Sequence, residues 1–86
     1  MTEQEIIARI HASYPNAIVD AAGEACSFEL YIVDKAFEGL GTLQRQKPLL
    51  ALFKDEIASG AIHALTIKTK TPAEQAGDAG LVQISS

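Results

Sequence analysis

Several features common in other protein classes are scarce in this chain of 86 residues. It has a single cysteine, Cys26, so it cannot form an intramolecular disulfide, and a reducing compartment is expected. No apolar run approaches the roughly 20 residues that span a membrane. Basic residues number 7 against 11 acidic ones, for a formal net charge of −4, which argues against a strong nucleic-acid binder because such proteins need clustered positive charge.

The remaining composition is that of an ordinary globular protein, with 48% hydrophobic and 21% charged residues. A chain of this length predicts one domain, over residues 1–86, with a modest core. The first residues, Thr2 to Glu5, are polar and acidic, unlike a signal peptide. We therefore expect a cytoplasmic protein that does not associate with a membrane.

Patterns in the first half of the chain predict one helix and two strands. Thr2 and Glu5 match a capping box, in which each side chain satisfies a backbone N–H of the other residue. The predicted order is a helix that Pro15 ends, a strand over 17–20, a turn over 21–25 in which Gly23 permits a positive φ, and a strand over 27–34. This last strand has the clearest alternation of apolar and polar residues.

The second half predicts two helices and a further strand. Pro48 is accepted in a first helical turn but not inside a helix, so we expect a turn or short 3₁₀ segment over 42–46 and a helix from Pro48 to Ser59. Its apolar face is predicted from Leu49, Leu52, Phe53 and Ile57, and Gly60 is a natural C-cap. A strand over 62–68 follows, then a short helix with Thr71 as N-cap and Pro72 in its first turn, and residues from Gly77 are expected to be frayed.

This order of elements predicts an α+β fold. The helix between the second and third strands favours a right-handed crossover, which makes those two strands parallel. The first two strands are joined by a tight turn and should be antiparallel. We therefore expect a small three-stranded mixed sheet with helices on one face, in the order α-β-β-α-β with a further short helix.

Two side chains are candidate metal ligands. His63 falls within the third predicted strand, and imidazole is neutral and able to bind metal near physiological pH. The alternative is a packed structural histidine. Cys26 opens the second predicted strand and is either a thiolate donor or an inert buried thiol. Two donors cannot complete a structural zinc site, which usually has four, so a partner would have to supply the rest. His11, on the first helix, is expected to be a solvated surface residue.

The sequence offers little for other chemistry. Five basic residues can form one positive patch, or else a solvated face: Lys35, Arg45, Lys47, Lys68 and Lys70. The glycines at 39 and 41 lack the spacing of a phosphate-binding loop. No catalytic triad or carboxylate dyad is identifiable, so we do not expect an enzyme.

From about Cys26 to Glu74, the chain resembles the BolA family. The matching residues, in order, are Cys26-Ser27-Phe28, Phe37-Glu38-Gly39, Leu43-Gln44-Arg45, Ile62-His63-Ala64-Leu65 and Thr71-Pro72. Each motif is short, and their order and spacing carry the resemblance. The chain departs from the family pattern at Gln46, where a histidine is common, and at Pro48.

The resemblance implies a fold like a class II KH domain and a particular partner, a monothiol glutaredoxin of the Cys-Gly-Phe-Ser type. Such pairs share a 2Fe–2S cluster, for which glutaredoxin and glutathione supply thiolates. The positions that match the family's ligands are His63 and Cys26, and no cofactor is expected in the isolated apo protein. The implied role is non-enzymatic, in iron–sulfur cluster assembly, trafficking or iron regulation. The alternative is a KH-like nucleic-acid-binding transcriptional regulator that uses Arg45, Lys47, Lys68 and Lys70, although the acidic charge makes nucleic acid a disfavoured partner.

Overall fold

A computed structural model describes residues 1–76 of the chain. Its elements are helix α1 (Glu3–Ser13), strands β1 (Ile18–Glu24) and β2 (Ser27–Val33), a 3₁₀ turn (Lys35–Phe37), helices α2 (Thr42–Leu52) and α3 (Lys54–Ser59), strand β3 (Ala64–Lys70) and a helical turn over 72–76. The expected frayed segment from Gly77 lies outside the described residues.

The three strands form one sheet in the order β1-β2-β3. β1 runs antiparallel to β2, with Ala21 opposite Leu30, and β2 runs parallel to β3, with Leu30 opposite Ile67. The predicted α+β class and mixed sheet are thereby confirmed. Because β2 and β3 are parallel, both strands start at the same end of the sheet. Helices α2 and α3 form the connection between them.

The core lies between the helices and one face of the sheet. Its fully buried side chains include Ile6 and Ile10 of α1, Leu49 of α2, and Phe53 at the junction of α2 and α3. These pack with the alternate sheet residues that point to the helices, namely Phe28, Leu30, Ile32 and Ile67. The other sheet face, which carries Tyr31 and Lys68, is mostly exposed.

Polar contacts fix the positions of the helices. Arg9 on α1 donates to the Glu56 carboxylate at 2.6 Å and to the Leu52 carbonyl at 3.1 Å, which ties α1 to the junction between α2 and α3. Gln46 Nε2 on α2 donates to the Ile67 carbonyl on β3 at 2.9 Å. The side-chain amide of Gln46 therefore holds α2 against β3.

The capping box that begins α1 is confirmed. Glu5 N–H donates to Thr2 Oγ1 at 3.2 Å, and Thr2 N–H donates to the Glu5 carboxylate at 3.1 Å. Gly60, predicted as a C-cap, has φ 85° and ends α3. Such a left-handed conformation costs glycine little because it has no Cβ.

The prediction for β1 and its turn was wrong. The strand extends to Glu24, and only Ala25 and Cys26 form the turn before β2. Gly23 lies within the strand and does not have a positive φ. A Cβ at this position would clash with the Ser27 carbonyl oxygen, so glycine allows close contact between the strands rather than a turn.

The prediction for the second helix was also wrong. α2 begins at Thr42, six residues earlier than expected, and Pro48 lies inside it. The break occurs instead at Phe53, whose buried ring anchors the chain before α3 begins. Ile57, assigned to the apolar core face, is 42% exposed. Tertiary packing by Leu49 and Phe53 thus outweighs the unfavourable proline.

Strand β3 lies two residues further along the chain than predicted. It covers Ala64–Lys70, so His63 directly precedes the strand instead of lying within it. Ile62, which was assigned to the strand, is buried at 1% exposure before the strand begins. The helical turn over 72–76 after Thr71 was predicted correctly.

Candidate functional site

Cys26 lies in the two-residue turn that joins β1 to β2. The turn depends on Ala25, which has a φ of 57°, a left-handed conformation that is unfavourable for a residue with a Cβ. This tight reversal leaves Cys26 as an exposed free cysteine. The interpretation of this thiol as buried is therefore wrong, and its role as a thiolate donor stays a prediction.

His63 is brought next to Cys26 by the parallel pairing of β2 and β3. Ser27 pairs with Ala64, so the residues that precede these two are also neighbours. His63 N–H donates to the Cys26 carbonyl oxygen at 2.7 Å, and Ala64 N–H reaches the same oxygen at 3.3 Å. These backbone contacts hold together two residues that lie far apart in the sequence.

Both side chains are available for a partner. His63 and Cys26 are exposed, and within residues 1–76 neither the imidazole nor the thiol has a protein hydrogen-bond partner. A structural histidine would use its ring nitrogens in contacts of this kind. The described surroundings of His63 thus leave both ring nitrogens open to a ligand from outside the domain.

The two donors are only part of a metal site. Across the described residues, no group of three or more His, Cys, Asp or Glu side chains is placed to hold a metal ion. A tetrahedral zinc site or a 2Fe–2S cluster takes four protein or thiol ligands. One imidazole and one thiolate fit half of such a set, so donors from a second molecule would have to complete it.

The second histidine has a different environment. The His11 Nε2 atom lies 2.9 Å from the Ala17 carbonyl oxygen, and the residue is partly buried. The contact links the end of α1 to the residue before β1. His11 is therefore a structural side chain, and its interpretation as a solvated residue was wrong.

Arg45 has a structural environment that sequence reasoning missed. It is 8% exposed, and its guanidinium donates to the two carboxylate oxygens of Glu74 at 2.6 and 2.9 Å and to the Leu40 carbonyl at 2.8 Å. Glu74 also accepts the Thr71 N–H in a second capping box. The Arg45 contact and the Thr71 N–H lower the pKa of Glu74 to about 2. The Thr-Pro-Ala-Glu pattern at 71–74 could have predicted the capping box. It could not have predicted the ion pair between Glu74 and Arg45, because the two residues lie far apart in the sequence.

The remaining basic candidates do not join Arg45 in one patch. Lys68 and Lys70 lie on the sheet face that points away from the helices, and Lys68 Nζ is 5.7 Å from the centroid of the Tyr31 ring. Lys47 lies on α2, on the exposed side of that helix. A role for these residues in nucleic-acid contact stays a prediction.

None of the helices in the described part of the chain is both long and apolar enough to cross a membrane.

Comparison with known proteins places the domain in a family. Residues 5–74 match the family model described as BolA-like protein. The chain is 38% identical over 74 residues to an uncharacterised protein of the rpoN–murA intergenic region of Acinetobacter guillouiae, covering 86% of this chain and 89% of that one. It is 33% identical over 60 residues to the acid stress protein IbaG of Escherichia coli, covering 70% and 71%.

The fold agrees with the sequence match. The BolA domain of SufE1 from Arabidopsis thaliana superposes with a TM-score of 0.74 at 26% identity, covering 86% of this chain and 98% of that one. The family model, the curated relatives and the solved structure thus coincide on one assignment. The chain belongs to the BolA-like family.

Proposed function

We propose that this protein is a non-enzymatic adaptor that binds a monothiol glutaredoxin of the Cys-Gly-Phe-Ser type and shares a 2Fe–2S cluster with it. The observation that carries the proposal is the juxtaposition of Cys26 and His63, joined by a 2.7 Å backbone hydrogen bond and both exposed. The occurrence of a BolA domain in a SufE protein of Arabidopsis thaliana supports a role related to iron–sulfur clusters.

The incomplete donor set is consistent with a shared site. Cys26 and His63 would supply one thiolate and one imidazole, and glutaredoxin with glutathione would supply two more thiolates. Both ligands lie at the end of the sheet, where a second protein can approach. The site therefore requires no ligand from the core of this domain.

The two ligands differ in what they do for the cluster. Imidazole ligation raises the reduction potential above that of an all-cysteine cluster. His63 would supply the ligand that is released more readily, because a neutral imidazole generally leaves a metal more easily than a thiolate does. A mixed site of this kind suits a protein that delivers or senses a cluster, in iron–sulfur assembly or trafficking or in iron regulation.

We do not propose nucleic-acid binding. Arg45 is engaged by Glu74, and Lys47 lies on α2 while Lys68 lies on the open sheet face. A phosphate backbone needs several cations on one surface.

The test is to add the purified protein to a cluster-loaded glutaredoxin and to record visible absorption and circular dichroism. A complex with a changed cluster spectrum is expected. His63→Ala should abolish the spectrum of the mixed cluster, and Cys26→Ser should leave a more labile cluster. His11→Ala is the matched control, because it removes a histidine without touching the site. An unchanged glutaredoxin spectrum and no complex would rule the proposal out.

A further inference from the structure

An apolar line with two lysines runs along the outer side of α2 and α3. Its large apolar members are Leu43, Leu50 and Ile57, which follow one another every seven residues and are 67%, 37% and 42% exposed. Lys47 and Lys54 lie between them and are also exposed. We call these five residues the Leu–Lys stripe. Leu43 and Leu50 are seven residues apart on α2 and so lie on the same side of that helix, and Leu50 shares a groove with Lys54 and Ile57 of α3.

The stripe points away from the core. The buried residues of α2 are Arg45 and Leu49. At about 100° of rotation per residue, Lys47 lies on the opposite side of the helix, and Leu50 lies on the flank between the buried and the exposed side. Core packing therefore does not explain the exposure of Leu43 and Ile57, and Leu50, at the edge of the core, keeps part of its side chain in solvent. Exposed apolar residues that form a line, rather than lie singly, mark interaction surfaces.

The middle of the stripe is concave. Leu50 and Ile57 border a shallow groove with Lys47 and Lys54, and the small side chains of Ala51 and Ala58 line it between them. Alanine between larger residues leaves space for a side chain from outside. A helix laid in such a groove inserts residues at spacings of three and four.

The charge of the groove indicates what fits it. Among residues 1–76, the ionic side chains that line it are the two lysines, although the chain as a whole has a net charge of −4. Glu56, on the same helix as Lys54, is turned away and bound to Arg9. A second copy of the chain would place lysine against lysine. Phosphates would pair with the lysines but leave the leucines in water.

We propose that the Leu–Lys stripe is a docking surface for a protein partner that presents an amphipathic helix with acidic side chains beside its apolar line. The acidic groups pair with Lys47 and Lys54, while the apolar line enters the groove beside Leu50 and Ile57. Neither Cys26 nor His63 takes part. The inference is therefore independent of cluster sharing.

The probe is a synthetic helical peptide of about 18 residues, with leucines at spacings of three and four and glutamates on both flanks. It is titrated into the ¹⁵N-labelled full chain, and amide shifts are recorded. We expect saturable shifts confined to α2 and α3 and an affinity that falls as salt rises. Leu50→Ala should weaken binding severalfold through lost apolar contact.

Charge reversal provides the decisive comparison. The variant K47E/K54E should bind the acidic peptide about tenfold more weakly and should gain affinity for the same peptide with lysine in place of glutamate. Lys35→Glu, at an exposed position outside the groove, is the matched control and should change little. Circular dichroism checks that each variant is folded.

Several results would overturn the proposal. These are shifts that do not saturate, shifts that map outside the stripe, and an affinity for the acidic peptide that K47E/K54E leaves unchanged. Concentration-dependent self-association of the wild type that Leu50→Glu abolishes would identify a second copy as the occupant instead. Amide shifts along the stripe on addition of duplex DNA, without any binding of the peptide, would identify a nucleic-acid surface instead.

Discussion

The two histidines show how the surroundings of a side chain decide its role. His11 Nε2 contacts the Ala17 carbonyl at 2.9 Å, while the ring of His63 has no partner within residues 1–76. We predict that His11→Ala lowers the free energy of unfolding of the apo protein by about 1 kcal/mol, the usual net value of one hydrogen bond. His63→Ala should change it little. Urea unfolding of both variants measures the difference, and a large loss in His63→Ala would restore the structural interpretation of that residue.

The ion pair between Arg45 and Glu74 predicts a dependence of stability on pH. The pKa of Glu74 is lowered from 4.5 to about 2 in the folded protein, first by the Arg45 contact and then by the Thr71 N–H. A carboxyl group with a depressed folded pKa stabilises the protein above its unfolded pKa. That contribution is lost as the pH falls from about 4.5 towards 2.

Glu74→Gln should therefore be less stable than the wild type at pH 7, and the difference should shrink as the pH falls through this window. Thermal unfolding followed by circular dichroism at several pH values makes the comparison. Glu38→Gln, at an exposed position, controls for the loss of a negative charge. A difference that stays constant down to pH 2 would contradict the assignment.

At the scale of elements, α2 contains an unfavourable residue. Pro48 is the seventh residue of the helix, where it cannot donate to the Gln44 carbonyl and where its ring crowds that group. Pro48→Ala should therefore increase the free energy of unfolding by about 1–3 kcal/mol. Chemical denaturation provides the value. Ala8→Pro, at an exposed position inside α1, is the converse control and should destabilise the protein.

The elements also show why local patterns were only partly informative. The end of α1 and the C-cap at Gly60 follow from residues next to each other in the sequence, and both were predicted. The start of α2 was not, because the buried contacts of Leu49 and Phe53 outweigh the local preference of Pro48. β1 extends through Gly23 for a similar reason, since its backbone pairs with Phe28 on β2.

At the scale of the whole molecule, the turn after β3 closes the structure over Arg45. Glu74 supplies the carboxylate for this nearly buried guanidinium, and Thr71 is itself 3% exposed. We predict that a chain ending at Lys70 unfolds at lower denaturant concentration than one ending at Ala76, because it leaves a buried charge unpaired. Replacing Arg45 with Met in the shorter chain should recover part of the loss. Equal unfolding midpoints for the two chains would show that the turn contributes nothing.

The sequence alone was enough to predict the class of the fold and to select Cys26 and His63 as candidate ligands. The single cysteine, the histidine within an apolar run and the order of helix and strand patterns are local properties, so they could be recognised without coordinates. The order of elements predicted that the strands near Cys26 and His63 are parallel, but their register, which joins the two residues by a backbone hydrogen bond, came from the tertiary structure because no local pattern specifies it. The tertiary structure also decided that Arg45 is held by Glu74, and that Leu50 and Ile57 face outward, because burial depends on which side of each helix the rest of the chain covers.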